Sequence, residues 1–235
     1  MVILITGASG GFGSKLSKYF AEKNHKLVLQ SFSREVSIKE DANVFSFSCD
    51  LTNETDVKLF MEKALSKFGK IDVVIHCAGI SKNAISWKTS LKNWNETLAV
   101  NLTAPFLINK LLLPQMKKNK FGRIIHLSSV VSQTGFPGTV AYAASKAGLS
   151  GLTKTISKEV GANGITVNNL ALGYFNIGMI EQVPQDQVDA ILSGIPQQKL
   201  GDPIAVCELV LYLISDAGSY ITGQTIPVNG GMYSY

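Results

Sequence analysis

Tyr142 and Lys146 stand four residues apart in Tyr142-Ala143-Ala144-Ser145-Lys146, so on a helix their side chains share one face. A phenol, with an unperturbed pKa of about 10, is a poor acid–base group at neutral pH. An ammonium beside it favours the phenolate and lowers that value. Ser129 ends the stretch Ile124-Ile125-His126-Leu127-Ser128-Ser129, and Asn101 lies in Val100-Asn101-Leu102. A carbonyl that accepts hydride builds negative charge on oxygen, and needs a proton donor and hydrogen bonds aimed at that atom. These four side chains can supply them. Alone, the Tyr-x-x-x-Lys pair reads equally well as two solvated neighbours on a surface helix.

The start of the chain offers a place for a hydride carrier. An apolar run at 2–6 leads straight into Thr6-Gly7-Ala8-Ser9-Gly10-Gly11-Phe12-Gly13 and then a helical pattern. Glycines let the chain turn tightly and bring backbone N–H groups to a pyrophosphate, whose charge a helix N-terminus favours. Strand, glycines and helix occur in the order of a dinucleotide fingerprint. An NAD site usually adds an acid at the end of the second strand. Here that end reads Gln30-Ser31-Phe32-Ser33-Arg34, with no acid before Glu35. The hydroxyls of Ser31 and Ser33 and the guanidinium of Arg34 suit a 2′-phosphate, so the expected cofactor is NADP(H). A plain polar loop has the same composition.

These groups need a frame. Short apolar runs alternate with longer helical patterns, the signature of βαβ units around a parallel sheet. Strands are expected at 2–6, 26–30, 44–49, 72–76, 123–127, 166–170 and near 225–228. Helices are expected at 13–23, 91–118 with a break near Pro105, 142–161 and 204–214. Between Gln30 and Val44 there is room for little more than one helical turn, where a full crossover is usual. The expected fold is one α/β Rossmann-type domain over 1–235, with a doubly wound, mostly parallel sheet of about seven strands and helices on both faces.

With Thr6-x-x-x-Gly11-x-Gly13, the Asn101, Ser129, Tyr142, Lys146 set resembles the short-chain dehydrogenase/reductase family, and the likeness runs from Met1 to Tyr235. It extends to Asp50-Leu51-Thr52, Ala78-Gly79, Ile221-Thr222-Gly223-Gln224-Thr225 and Val228-Asn229-Gly230-Gly231. The ending and Gly122-Arg123-Ile124-Ile125 look most like the 3-oxoacyl-[acyl-carrier-protein] reductase branch, which implies a place in fatty acid synthesis. The resemblance implies that Tyr142 donates the proton and that Lys146 tunes it while holding the nicotinamide ribose. It gives Ser129, rather than the adjacent Ser128, the carbonyl, and Asn101 a water-linked proton path to Lys146. Around the dinucleotide it places Gly7, Ser9, Gly11, Phe12, Gly13, Ser31, Ser33, Arg34, Asp50, Leu51, Ala78, Gly79, Ile80, Gly173 and Phe175 beside Tyr142 and Lys146. It also implies a homodimer or homotetramer paired through the helices at 91–118 and 142–161.

Several positions depart from that family's pattern. Leu172 replaces a proline and Ile177 falls where a threonine near the cofactor is usual. His76 and Cys77 take the places of asparagines, as neutral polar fillers, and Gly10 lacks a basic side chain common in NADP enzymes. Lys117, Lys118 and Lys120 suit an acidic carrier protein, although Asn163, at a second docking position, carries no charge; the lysines equally suit a solvated helix end. Met179, Ile180, Val183, Ile191 and Ile195, with Phe136 opposite, suggest an apolar substrate pocket or the packing of a lid helix.

Composition sets the outer limits. Hydrophobic residues make up 46% and charged residues 17%, enough for a sizeable core. The three cysteines, Cys49, Cys77 and Cys207, are expected to be reduced and buried, and His25, His76 and His126 have no metal-site spacing. The net charge of +5 suits an anionic ligand or serves solubility, and dispersed lysines without interleaved aromatics argue against nucleic acid. No apolar run approaches the roughly 20 residues that cross a bilayer, so a cytoplasmic protein is expected. The leading expectation is an NADPH-dependent ketoreductase acting on a 3-oxoacyl thioester or a related small ketone. The alternatives are an alcohol dehydrogenase working in the oxidative direction and a non-catalytic NADP-binding regulator.

Overall fold

Val2–Thr6, buried along its whole length, forms the strand β1 from which the sheet grows to both sides. The computed structural model describes residues 1–234, without the side chains of Met179, Gln182, Asp186 and Gln187. After β1 come α1 (Gly11–Glu22), β2 (Lys26–Ser31) and β3 (Val44–Ser48). Then α2 (Glu54–Phe68), β4 (Val73–His76), α3 (Leu91–Leu98) and α4 (Ala104–Asn119) lead to β5 (Gly122–Ser129). A short α5 (Val131–Thr134) precedes α6 (Val140–Val160) and β6 (Ile165–Leu172). The chain closes with α7 (Gln185–Ser193), α8 (Pro203–Ile214) and β7 (Thr225–Val228).

The seven strands form one parallel sheet in the order β3-β2-β1-β4-β5-β6-β7. Two apolar clusters, one on each face, bury the sheet between helices. The first includes Leu16, Phe20, Val206 and Val210 against Ile3 and Ile5; the second includes Phe60, Ile108, Leu112 and Val160 against Leu4 and Val74. Strand order reverses between β1 and β4, the point where a doubly wound sheet opens a crevice at its carboxyl ends.

Three elements differ from the sequence expectation. Helix α1 starts at Gly11 rather than Gly13, so the glycine turn itself supplies its first residues. Helix α2 was not expected, yet its signals are local: the Asn53 side chain caps Thr55 N–H, Glu54 and Asp56 lie in the first turn, and left-handed Gly69 ends it. The helix expected at 91–118 does not break at Pro105. It widens instead into a π-turn at Ala99–Thr103, and Pro105 follows directly as the second residue of α4. Over its most apolar stretch this bent helix reaches a mean hydropathy of 1.2, and it packs on β5, α2 and α6. The segment after β2, where little more than one helical turn was expected, has no helix; its Val36 and Ile38 reach the core beneath it.

The glycine turn leaves no room for a side chain at Gly7 or Gly13. A Cβ on Gly13 would lie 2.1 Å from the Gly7 carbonyl oxygen and one on Gly7 2.7 Å from Ala78 Cα. Both obstacles are backbone, so neither can swing aside. Gly13→Ala is expected to lower Tm by roughly 5–10 °C in a thermal melt, as overpacking costs of about 2–3 kcal/mol would do in a chain of this size.

Candidate active site

Strand β5 ends in two serines with different surroundings. Ser128 is buried and its hydroxyl donates to the Lys146 carbonyl at 3.0 Å. The Ser129 hydroxyl accepts from Val131 N–H at 3.2 Å and faces the Tyr142 phenol. Tyr142 occupies the first turn of α6, and Lys146 follows one turn later, buried, with its ammonium 5.7 Å from the phenol ring centroid. Asn101 sits in the π-turn, the kind of helix distortion that often marks functional positions. There its Oδ1 accepts from Ile80 N–H at 2.9 Å, while Nδ2 donates to Ile80 O at 2.9 Å and to Ser145 Oγ at 3.0 Å. Ser145 in turn donates to the Tyr142 carbonyl at 2.7 Å, which ties the asparagine to the helix that carries the tyrosine. Asn101 Oδ1 and Lys146 Nζ each lie 3.5 Å from where a Cβ on Gly79 would stand. All four expected residues therefore converge at the carboxyl ends of β4 and β5.

Burial dominates the electrostatics of the pair. Burial raises the Tyr142 pKa, the Ser129 hydroxyl opposes that rise, and the nearby Tyr174 phenol adds to it. The Lys146 ammonium donates to the Leu127 carbonyl at 2.7 Å while standing 5.7 Å from the centroid of the phenol ring. Burial, with no carboxylate partner among the described residues, drops the Lys146 pKa to about 8, so a fraction of the amine is neutral near physiological pH.

The glycine turn has the features a pyrophosphate requires. Gly7 adopts a left-handed φ of 63°, and the Gly7 carbonyl accepts from Gly10 N–H at 2.9 Å. Among the described residues no side chain caps α1 and no acid lies in its first turn, so its leading N–H groups stay open to an anion. The Thr6 hydroxyl accepts from Cys77 N–H and Ala78 N–H, which fixes the turn after β4 beside the glycines. Ala78, Gly79 and Ile80 thus border the crevice. On the other side, Ser31 is buried at the end of β2, whereas Ser33 and Arg34 are exposed and no ion pair among the described residues holds Arg34. Asp50 accepts from both Thr52 N–H and its hydroxyl, and Leu51 is buried.

The loop after β6 closes against the glycines. Gly173 N–H donates to the Val228 carbonyl, and the Phe175 ring is buried edge-on to Phe12 at 5.2 Å. A Cβ on Gly11 would meet Gly178 Cα at 2.8 Å and Ile177 Cγ1 at 3.2 Å. Ile177 belongs to the packed wall here, and Leu172 ends β6 with its carbonyl bonded to Val130 N–H. Of the residues expected to form an apolar pocket, Ile180 and Ile195 are buried, Phe136 is exposed, and the Met179 side chain lies outside the described residues.

A family model described as enoyl-(acyl carrier protein) reductase matches residues 7–233. Full-length relatives include the 3-oxoacyl-[acyl-carrier-protein] reductases FabG of Thermotoga maritima, 36% identical over 98% of this chain and 97% of the relative, and of Rickettsia felis, 39% identical over 97% and 95%. Nodulation protein G of a Rhizobium species is 35% identical over 97% of this chain and 95% of its own length. The chain belongs to the short-chain dehydrogenase/reductase family.

Within a short-chain dehydrogenase/reductase frame, the floor of this site is a buried polar chain that sequence spacing did not reveal. His76 Nε2 and Asn109 Oδ1 lie 2.9 Å apart, Asn109 Nδ2 and His126 Nε2 3.2 Å, and His126 Nδ1 and Thr153 Oγ1 2.8 Å. The two imidazoles stack with centroids 5.1 Å apart. Burial lowers the His76 pKa to about 4 and holds His126 well below its ordinary value, in keeping with neutral fillers. Cys77, beside them, is pushed up by burial and is no thiolate at neutral pH. Because the folded histidine binds its proton less readily than the unfolded one, stability is complete above pH 6.5 and falls as pH drops toward 4. The His76 contribution to that fall is about 3 kcal/mol. Urea unfolding from pH 7 to 4.5 should show a shallower loss in His76→Gln, and an unchanged slope would contradict the buried neutral imidazole.

Proposed function

We propose that the protein is an NADPH-dependent ketoreductase that reduces a 3-oxoacyl thioester, carried by acyl carrier protein, to the hydroxy product. The convergence of Ser129, Tyr142, Lys146 and Asn101 beside an uncapped glycine turn is the observation that carries this reading. When bound, the dinucleotide supplies hydride to the carbonyl carbon. The Ser129 hydroxyl hydrogen-bonds the carbonyl oxygen, and Tyr142 O–H transfers its proton to that oxygen as the charge develops. Desolvation keeps the phenol protonated until then. Lys146 would hold the ribose of a bound dinucleotide, and its charge would stabilise the phenolate left behind. Asn101 holds Ile80 and Ser145 and leaves an Oδ1 lone pair for a water-linked return of the proton to Lys146.

The absence of an acid before Glu35, with Ser33 and Arg34 exposed at the end of β2, supports NADPH over NADH. Lys117, Lys118 and Lys120, all exposed at the end of α4, suit an acidic carrier. Arg123 does not join them, since it is buried and donates to the Gly122 and Gly164 carbonyls. Assembly is part of the same reading: Phe106, Leu113, Pro114, Gly151, Leu152 and Val160 line a groove of about 860 Å³ between α4 and α6, suited to the same helices of a second copy. Sedimentation should give a dimer or tetramer, and a monomeric mass at micromolar concentration would refute that part.

NADPH consumption with a short 3-oxoacyl thioester should exceed that with NADH and with the corresponding 2-enoyl thioester. Tyr142→Phe should cut kcat at least 10³-fold, within the usual range for loss of a general acid, while NADPH still binds. A fully active variant would sink the mechanism. Cofactor binding without turnover of any ketone or alcohol would favour the regulator.

A further inference from the structure

Gln30 is the penultimate residue of β2 and is buried, 2% exposed, at the point where three chain segments meet. Its Oε1 accepts from Gly7 N–H at 2.9 Å, and its Nε2 donates to the Ser31 carbonyl at 2.8 Å and the Cys49 carbonyl at 2.9 Å. Its backbone carbonyl accepts from Ala8 N–H at 2.8 Å. Both amide hydrogens and the amide oxygen are therefore used, each on a different backbone group. Those groups open the glycine turn, the β2 exit and the β3 exit.

We infer that Gln30 is a positioning residue for the adenosine half of the cofactor, setting the spacing of Gly7–Ser9, Ser31–Arg34 and Asp50–Leu51 without touching the ligand. The inference rests on the dinucleotide reading above. Chemistry at this position demands an acceptor and two donors in one short planar group. A carboxylate there satisfies Gly7 but sets its second oxygen against two carbonyl oxygens. A methionine of similar shape satisfies none and leaves buried N–H and C=O groups orphaned, which is costly in a low-dielectric site. Because Gln30 acts on backbone shared by both dinucleotides, its loss weakens NADP(H) and NAD(H) alike.

The test measures binding of NADP⁺ and NAD⁺ by calorimetry, amide exchange by NMR, and KM and kcat, on the unmodified chain, Gln30→Met and Gln30→Glu. Gln30→Met should raise both dissociation constants roughly tenfold or more, the scale of one or two lost buried hydrogen bonds. It should leave kcat at saturating cofactor within about twofold of the unmodified chain, since only positioning is lost. The Gly7 amide should exchange slowly in the unmodified chain and quickly in Gln30→Met. Gln30→Glu should bind poorly at pH 8 and recover toward pH 6, because a protonated carboxyl can again donate to one carbonyl while accepting from Gly7. Unmodified affinity in folded Gln30→Met, or a loss confined to NADP⁺, overturns the inference while leaving the dinucleotide reading intact. Failure of the unmodified chain to bind either dinucleotide overturns both.

Discussion

At the switch point of the sheet, the backbone after β1 passes so close to the backbone after β4 that any side chain on Gly7 would drive into Ala78. That approach sets the width of the crevice, and much else follows from it. Thr6 can reach two N–H groups across the gap only because the turns touch. The same closeness places Gly79 beside Asn101 and Lys146, so the polar ends of two helical elements meet over a residue with no side chain to separate them. A dinucleotide lying along the glycine turn would then run directly toward the phenol.

Burial does different work in different parts of this site. It keeps the Tyr142 phenol protonated, lowers the Lys146 pKa to about 8, and suppresses the charge of His76 and His126 together. The result is a site with little fixed charge of its own, floored by a neutral hydrogen-bonded chain through Asn109. In such surroundings a developing oxyanion meets few competing ions, and a single well-placed hydroxyl or ammonium acts strongly.

Much of this was legible in the sequence because its signals are local. The glycine turn, the apolar strands and the Tyr142–Lys146 spacing depend on residues close together in the chain. The sheet follows from them, whereas the choice of Ser129 over Ser128 and the role of Asn101 came through the family resemblance. Helix α2 was also legible, since Val57, Phe60, Met61 and Ala64 recur at helical spacing behind the Asn53 cap, and was simply missed. Other features were not available from pattern alone. Ala-Val-Asn-Leu-Thr reads as ordinary helix, and only packing against Ile80 and Ser145 reveals the wider turn. Gln30 reads as a polar residue ending a strand, because its three partners come from three distant segments. The orientation of Lys146 is likewise decided by a tertiary contact, with Leu127, and not by its distance from Tyr142 in sequence.

The π-turn at Ala99–Thr103 gives that helix a fixed arithmetic. Each residue of an α-helix advances the direction of its side chains by about 100°. Removing one residue between the start of α3 and Asn101 would let ordinary helical pitch resume. The extra residue held by the π-turn would be the one lost, so α3 and α4 would keep their mutual register while the residues between the cut and the turn, Asn101 among them, would swing by about that angle. Asn101 and the core face of α4 could not then both keep their places. What this segment must preserve is therefore a length as well as the identity of Asn101.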